Sequence, residues 1–224
     1  MNDFLRHSDD AHGTPPASQT PTPGDFVREA TAADLDAIGR VHAAAMLASL
    51  RAAHVAAHEV PLPAGVEAMV AAPVIAAGWE QAVVSPPSPA HRVLVAVGEG
   101  GEVVGLIGVA PSPDGAATTN AAGETSQADD DAAADADAAS GRGMEITALG
   151  VAPERQRRGH GSRLLAAASE QARAQGADVL LVWAVRGDES LAGFLRGAGL
   201  KRTESFRRLP VGQGVIEDCW AAVL

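Results

Sequence analysis

The sequence predicts one α/β domain of moderate size, and three features predict it. Runs rich in β-branched residues alternate with amphipathic runs of helical length. Two of the β-rich runs are joined by Gly98-Glu99-Gly100-Gly101, a hairpin signal. The chain has 224 residues, 46% of them hydrophobic, enough to bury a substantial core.

The elements follow in order. Asp25 to Ala30 is a short strand, and Thr31 then serves as N-cap with Asp34 as the capping-box acid at N3. Leu35, Ile38, Val41, His42, Ala45 and Met46 recur at helical spacing, so a first helix should run to about Ala57. A second helix is expected over Ala64 to Gln81, disturbed by Pro73. Arg92 to Val97 and Glu102 to Ala110 are the strands of the hairpin, and Met144 to Val151 is the next strand. Gly161 to Gln175 is amphipathic: Leu164, Leu165, Ala168 and Ala172 share one face, while Arg163, Glu170 and Arg173 point away. Val179 to Val185 is an apolar strand and Ser190 to Ala198 a short helix. Leu200 to Arg208 and Val215 to Val223 close the domain as an antiparallel pair. The expected order is β, α, α, β, β, β, α, β, α, β, β.

Composition excludes several classes of function. The net charge of −11 argues against a generally basic nucleic-acid binder. Cys219 stands alone, so an internal disulfide and a Cys-cluster zinc site are both ruled out. No apolar run approaches the length of a membrane span, and Asp3, Asp9 and Asp10 do not suit a signal peptide. The expected compartment is the cytoplasm, with no membrane or nucleic-acid partner and no metal. The absence of tyrosine removes one common acid or base.

The acidity is uneven. Residues 1–24 hold Pro15, Pro16, Pro21 and Pro23 and no apolar periodicity, and they read as a disordered tail. Residues 111–143 carry Asp114, Glu124, Asp129, Asp130, Asp131, Asp135 and Asp137 against Arg142 alone. They read as a disordered acidic loop inserted into a domain of residues 25–224. Without an apolar face, neither segment can offset the entropy of ordering.

Chemistry concentrates between Leu149 and Leu165. A strand ends near Val151, a turn led by Pro153 follows, and a helix starts around Gly161. Glycines here let the backbone approach a ligand, and the free first-turn amides and the positive helix end suit a pyrophosphate. Arg155, Arg157 and Arg158 add charge at the rim. A P-loop would need G-x-x-x-x-G-K-[ST], but the lysine of this chain is Lys201. A dinucleotide fingerprint would need a third glycine where Leu164 stands.

Gln156-Arg157-Arg158-Gly159-His160-Gly161 instead resembles the Q/R-x-x-G-x-G/A signature of the GCN5-related N-acetyltransferases, the GNAT superfamily. Leu149, Val151 and Pro153 before it, Leu164-Leu165 after it, the Gly105-to-Val109 strand and the Asp188-to-Leu200 segment are similar to that family too. The resemblance spans about residues 25–223. It implies an acyl-CoA N-acyltransferase fold: a mixed twisted sheet with a V-shaped opening between two central strands and helices on both faces. It also implies acetyl-CoA as co-substrate, with the pyrophosphate on the amides of Arg157, Arg158, Gly159, His160, Gly161 and Ser162. The pantetheine arm would bond to the strand backbone at Leu149 and Val151. A β-bulge would open the V, and an amide at Leu149 or its neighbour would polarise the thioester carbonyl.

Glu145, on the strand bordering the cleft, is the candidate general base, with Thr147 and Leu149 expected on its face of the sheet. The alternative is a plain carboxylate at a strand start. Many family members carry Tyr after the Phe of the late helix, whereas Phe194 is followed here by Leu195. The implied function is acetyl transfer to a primary amine, on a small molecule or a protein, by a monomer or homodimer. The rival is a non-catalytic acyl-CoA-binding module. His54 and His58 have i, i+4 spacing without a third ligand, so they read as an exposed or substrate-side pair. His42 reads as a core or cleft-lining histidine, Cys219 as a buried small hydrophobe, and Trp79, Trp183 and Trp220 as core, with Trp183 able to line a channel. Lys201, Arg202, Arg207 and Arg208 are expected to solvate the outer strand pair.

Overall fold

A computed structural model describes residues 25–112, 142–209 and 215–224. The tail and most of the acidic loop lie outside the described residues. The ends assigned to that loop belong instead to the sheet: Pro111 closes one strand, Gly143 opens the next, and the Ser112 amide donates to the Gly143 carbonyl at 3.0 Å.

In chain order the elements are β1 (Phe26–Glu29), α1 (Leu35–His58), α2 (Ala64–Met69), α3 (Ala72–Val84), β2 (Arg92–Val97), β3 (Val103–Pro111), β4 (Gly143–Val151), α4 (His160–Ala174), β5 (Val179–Val185), α5 (Glu189–Gly197), β6 (Lys201–Leu209) and β7 (Val215–Val223). The sequence expectation differs mainly at Pro73. That proline takes a first-turn position of α3, where its missing N–H costs nothing, so the single expected helix is two.

The strands form one seven-stranded mixed sheet in the order β1-β2-β3-β4-β5-β7-β6. All neighbours are antiparallel except β4 and β5. The central strands are buried on both faces: consecutive residues Leu106 and Ile107 of β3 are each fully buried, in different clusters. On one face Ile107, Met144, Ile146, Leu180 and Val182 meet Leu164, Ala168 and Ala172 of α4 and Leu195 of α5. On the other, Ile38 and Val41 of α1 cover Val93, Val95 and Leu106. Burying a side chain such as Ile38 contributes about 2 kcal/mol, which holds α1 to the sheet.

The start of α1 is fixed as the sequence indicates. Asp34 accepts from both the Thr31 amide and the Thr31 hydroxyl at 2.8 Å, and it pairs with Arg28 of β1 at 2.7 Å. That guanidinium holds the Asp34 carboxyl at about 2, well below the usual carboxylate range. Helix α3 packs on α1 so closely at Gly39 that an added Cβ would lie 2.5 Å from the Ala72 carbonyl oxygen.

Candidate active site

The sheet opens between β4 and β5. Their parallel pairing runs from Gly143 opposite Val179 to Ile146 opposite Val182 and stops, although β4 continues to Val151 and β5 to Val185. The cause is a bulge. Gly108 of β3 faces Ala148, and the next residue, Val109, faces Ile146, so Thr147 is extra. An extra residue bends the strand and increases its twist. The edge of β4 from Thr147 to Val151 therefore lacks a strand partner on the β5 side.

Helix α1 bridges the arms of this fork on one face. A Cβ at Gly150 would meet Ala45 at 2.9 Å, and one at Gly187, just past β5, would meet Ala53 at 3.1 Å. Eight helical residues separate those contacts, about 12 Å, whereas paired strands lie about 5 Å apart.

The bulge also changes which side chains share a face. Leu149 and Val151 pack with Met144 and Ile146 against the α4 side, while Gly150 faces α1. The expectation that Leu149 shares a face with Glu145 is thus incorrect, because the extra residue shifts the alternation by one. Thr147 stays on the α1–α3 side, where its hydroxyl and the Trp79 ring would both crowd a Cβ placed at Gly108.

At the end of the free edge, the backbone turns into an amide nest. Arg157 has φ +62° and Gly159, the N-cap of α4, has φ +82°. The Arg163 amide donates to the Gly159 carbonyl at 3.1 Å, so the amides of His160, Gly161 and Ser162 precede the first helical bond. Consecutive amides in such a turn form a concavity for an anion, reinforced by the helix dipole. A Cβ at Gly161 would lie 3.4 Å from the Phe194 ring and 3.8 Å from Val151, within ordinary contact. A strand edge leading into an anion nest fits an extended amide-bearing chain that ends in a pyrophosphate.

Side chains around the nest depart in part from expectation. Arg155 is paired with Glu102 at 2.9 Å, so it is not a free charge at the rim, whereas Arg157 and Arg158 are exposed. Gln156 donates to the Val151 carbonyl at 3.2 Å and ties the nest to the strand end. His160 is buried, with Nε2 3.8 Å from Asp25, and it offers the nest its amide. A cavity of about 160 Å³ lies beside it, lined by Asp25, Glu99, Arg155 and Arg158. The larger cavity, about 530 Å³, flanks α5 and β6, and its lining includes neither the β4 edge nor the nest.

Glu145 is at the apex of the fork, one residue before the last paired rung, and its side chain is 18% exposed. Trp183, one residue past that rung on β5, is half-buried on the same face. Arg207 of β6 reaches over both: it stacks on Trp183 at 4.6 Å, donates to Glu217 at 2.6 Å and lies 3.7 Å from Glu145. Arg207 therefore does not simply solvate the outer strands. Sequence reasoning missed it because the β6–β7 register that carries it over the apex is a tertiary property.

Cys219 is buried as expected, and burial pushes its thiol up, away from the thiolate form. On the α1–α3 side, Trp79 donates to His42 Nδ1 at 3.0 Å. Burial lowers the pKa of His42, and the indole bond leaves the proton of the neutral ring on Nε2. His54 and His58 stack on each other with centroids 4.6 Å apart. Among the described residues no group of three or more His, Cys, Asp or Glu could hold a metal ion. Nor is any described helix long and apolar enough to cross a membrane.

The model of the acetyltransferase (GNAT) family matches residues 69–199, more than half of the chain. The chain belongs to that family. The chain has no match among curated proteins, but its fold recurs in solved structures. It is similar to the ribosomal-protein-alanine N-acetyltransferase of Brucella melitensis, with 20% identity, 89% of this chain and 99% of that chain covered, and a TM-score of 0.53. A phosphinothricin acetyltransferase from Sinorhizobium meliloti in complex with acetyl-CoA is 16% identical, with 90% and 89% covered and a TM-score of 0.57. The PaiA N-acetyltransferase of Thermoplasma acidophilum, in complex with coenzyme A, is 13% identical, with 88% and 98% covered and a TM-score of 0.57. At these identities the likeness establishes the fold alone, the acyl-CoA N-acyltransferase architecture that the sequence motif implies.

Proposed function

We propose that this acetyltransferase moves the acetyl group of acetyl-CoA to a primary amine by direct attack. The observation that carries the reading is the unpaired β4 edge running from the fork apex at Glu145 to the amide nest at Gly159. In this reading the edge from Thr147 to Val151 holds the pantetheine arm, with Leu149 and Val151 as the bonding positions. The amides of Arg157 to Ser162 hold the pyrophosphate. Acetyl-CoA supplies the acetyl group as a thioester.

The chain's own residues do the rest. A bulge amide between Thr147 and Leu149 stabilises negative charge developing on the carbonyl oxygen. Glu145, acceptor-only when ionised, takes the proton from the incoming ammonium directly or through one water. Direct attack agrees with the state of Cys219, whose raised pKa does not suit an acyl-carrying nucleophile.

The second reading, an acyl-CoA-binding module without turnover, is favoured by Leu195. This residue stands where many members of the family carry a tyrosine, and it is fully buried in the core. Thiol release from acetyl-CoA across a panel of amines separates the two: an enzyme releases thiol in proportion to amine, and a sensor binds without release. The cytoplasm remains the proposed compartment, and a monomer or homodimer the proposed assembly.

A further inference from the structure

Arg207 is held in place by three partners that together form a cation-binding box. Its guanidinium stacks on the Trp183 ring at 4.6 Å, its Nε donates to Glu217 Oε2 at 2.6 Å, and its Nη1 lies 3.7 Å from Glu145 Oε1. The box is more buried than its occupant: Glu217 is 12% exposed and Glu145 18%, while Arg207 is 45% exposed. Indole face and carboxylate together are the usual means of holding a desolvated cation.

The position of the box gives it meaning. Glu145 and Trp183 flank the last β4–β5 rung, on the face away from α4. If Glu145 accepts a proton from the acceptor, the amine must approach the carboxylate that Arg207 now touches. Arg207 is 45% exposed, so its side chain has room to swing into solvent once its bond to Glu217 is exchanged for another cation. Its departure would strand Glu217, a largely buried carboxylate, and an uncompensated buried charge is costly.

We propose that the acceptor is an amine carrying a second positive charge, and that Arg207 occupies, in the free protein, the subsite of that distal cation. The reactive ammonium meets Glu145, while the distal ammonium or guanidinium replaces Arg207 on Trp183 and Glu217. A carboxylate in the distal position would instead face Glu217 and be rejected. This inference rests on the acetyl-transfer reading above and names its substrate class.

The test uses three amines that share a reactive end: 1,4-diaminobutane, butylamine and 4-aminobutanoate. Their affinities are read by calorimetry on the full chain saturated with coenzyme A, and their kcat/KM values by thiol release from acetyl-CoA. The diamine should exceed butylamine by at least tenfold in both measures, and 4-aminobutanoate should come last. Arg207→Gln, which vacates the subsite, should lower the diamine KM, and Glu217→Gln should erase the diamine preference.

Equal affinities for the three amines would overturn the proposal. So would a preference for 4-aminobutanoate that Arg207→Gln abolishes, since Arg207 would then be an anion clamp. The wild-type ordering decides the matter if either variant fails to fold. Binding in the expected order without thiol release would refute the transferase reading while leaving the cation subsite standing.

Discussion

Gly161→Asp separates the two roles of the α4 N-terminus, as a helix start and as an anion site. In the free protein the substitution should be tolerated. The new Cβ would lie 3.4 Å from the Phe194 ring and 3.8 Å from Val151, which is ordinary contact, and Gly161 has no positive φ to lose. A carboxylate in the first helical turn interacts favourably with the dipole, by about 0.5 kcal/mol. The melting temperature should therefore hold or rise slightly.

Binding should respond in the opposite sense. Two unit charges about 5 Å apart repel by roughly 0.8 kcal/mol in bulk water and 3 kcal/mol at an effective dielectric of 20. Coenzyme A affinity should then fall by at least tenfold, about 1.4 kcal/mol. Gly161→Ala isolates the steric part and should cost less. Calorimetric titration with coenzyme A, paired with thermal melts, reads both effects. Gly161→Asp that binds coenzyme A like the wild type, with its fold intact, would refute the placement of the pyrophosphate.

Glu145→Gln keeps the shape of the side chain and removes the proton acceptor. It should lower kcat by roughly 100-fold with coenzyme A affinity unchanged, the loss shrinking at high pH as free amine becomes available; full activity at neutral pH would make Glu145 a plain strand-end carboxylate. Asp34→Asn should destabilise the fold by about 1–2 kcal/mol near pH 7, below the ceiling set by a carboxyl at about 2 because Arg28 is 37% exposed. Because the folded pKa is depressed, that contribution is complete above the unfolded value and is lost as pH falls through 4 toward 2. Urea melts of wild type and variant should therefore converge in that range. Trp79→Phe deprives His42 Nδ1 of its donor and should cost about 1 kcal/mol, with mixed imidazole tautomers in nitrogen NMR. Joining Ser112 to Arg142 through Asn-Gly, without residues 113–141, should keep the melting temperature within a few degrees, because the Ser112–Gly143 hydrogen bond already brings the strand ends together.

Local patterns in the sequence were the most legible. The amphipathic run of α4, the hairpin at Gly98–Gly101 and the Thr31–Asp34 cap each follow from residues close in the chain, and each is present. The Gln156-to-Gly161 motif could be read for the same reason, as its geometry depends on glycines and on a helix start. The break at Pro73 was visible, but one sequence admits either a kinked helix or two helices, and only packing against α1 decides.

What could not be read depends on register. Strand alternation predicts faces only while a strand is regular, and the extra residue at Thr147 moved Leu149 to the side opposite Glu145. Arg207 stands more than sixty residues from Glu145 in the chain and meets it through the order β4-β5-β7-β6. Neither signal exists in any local window. Trp79 packs against the core as expected, and what the sequence could not show is that its indole N–H is committed to His42.

The most direct measurement is thiol released from acetyl-CoA by the wild-type protein, with and without 1,4-diaminobutane, followed by mass analysis of the amine. The expected result is amine-dependent release matched mole for mole by mono-acetylated diamine. Tight binding of acetyl-CoA without amine-dependent release, for this diamine and for a broad amine panel alike, would contradict it and leave a binding module in place of an enzyme.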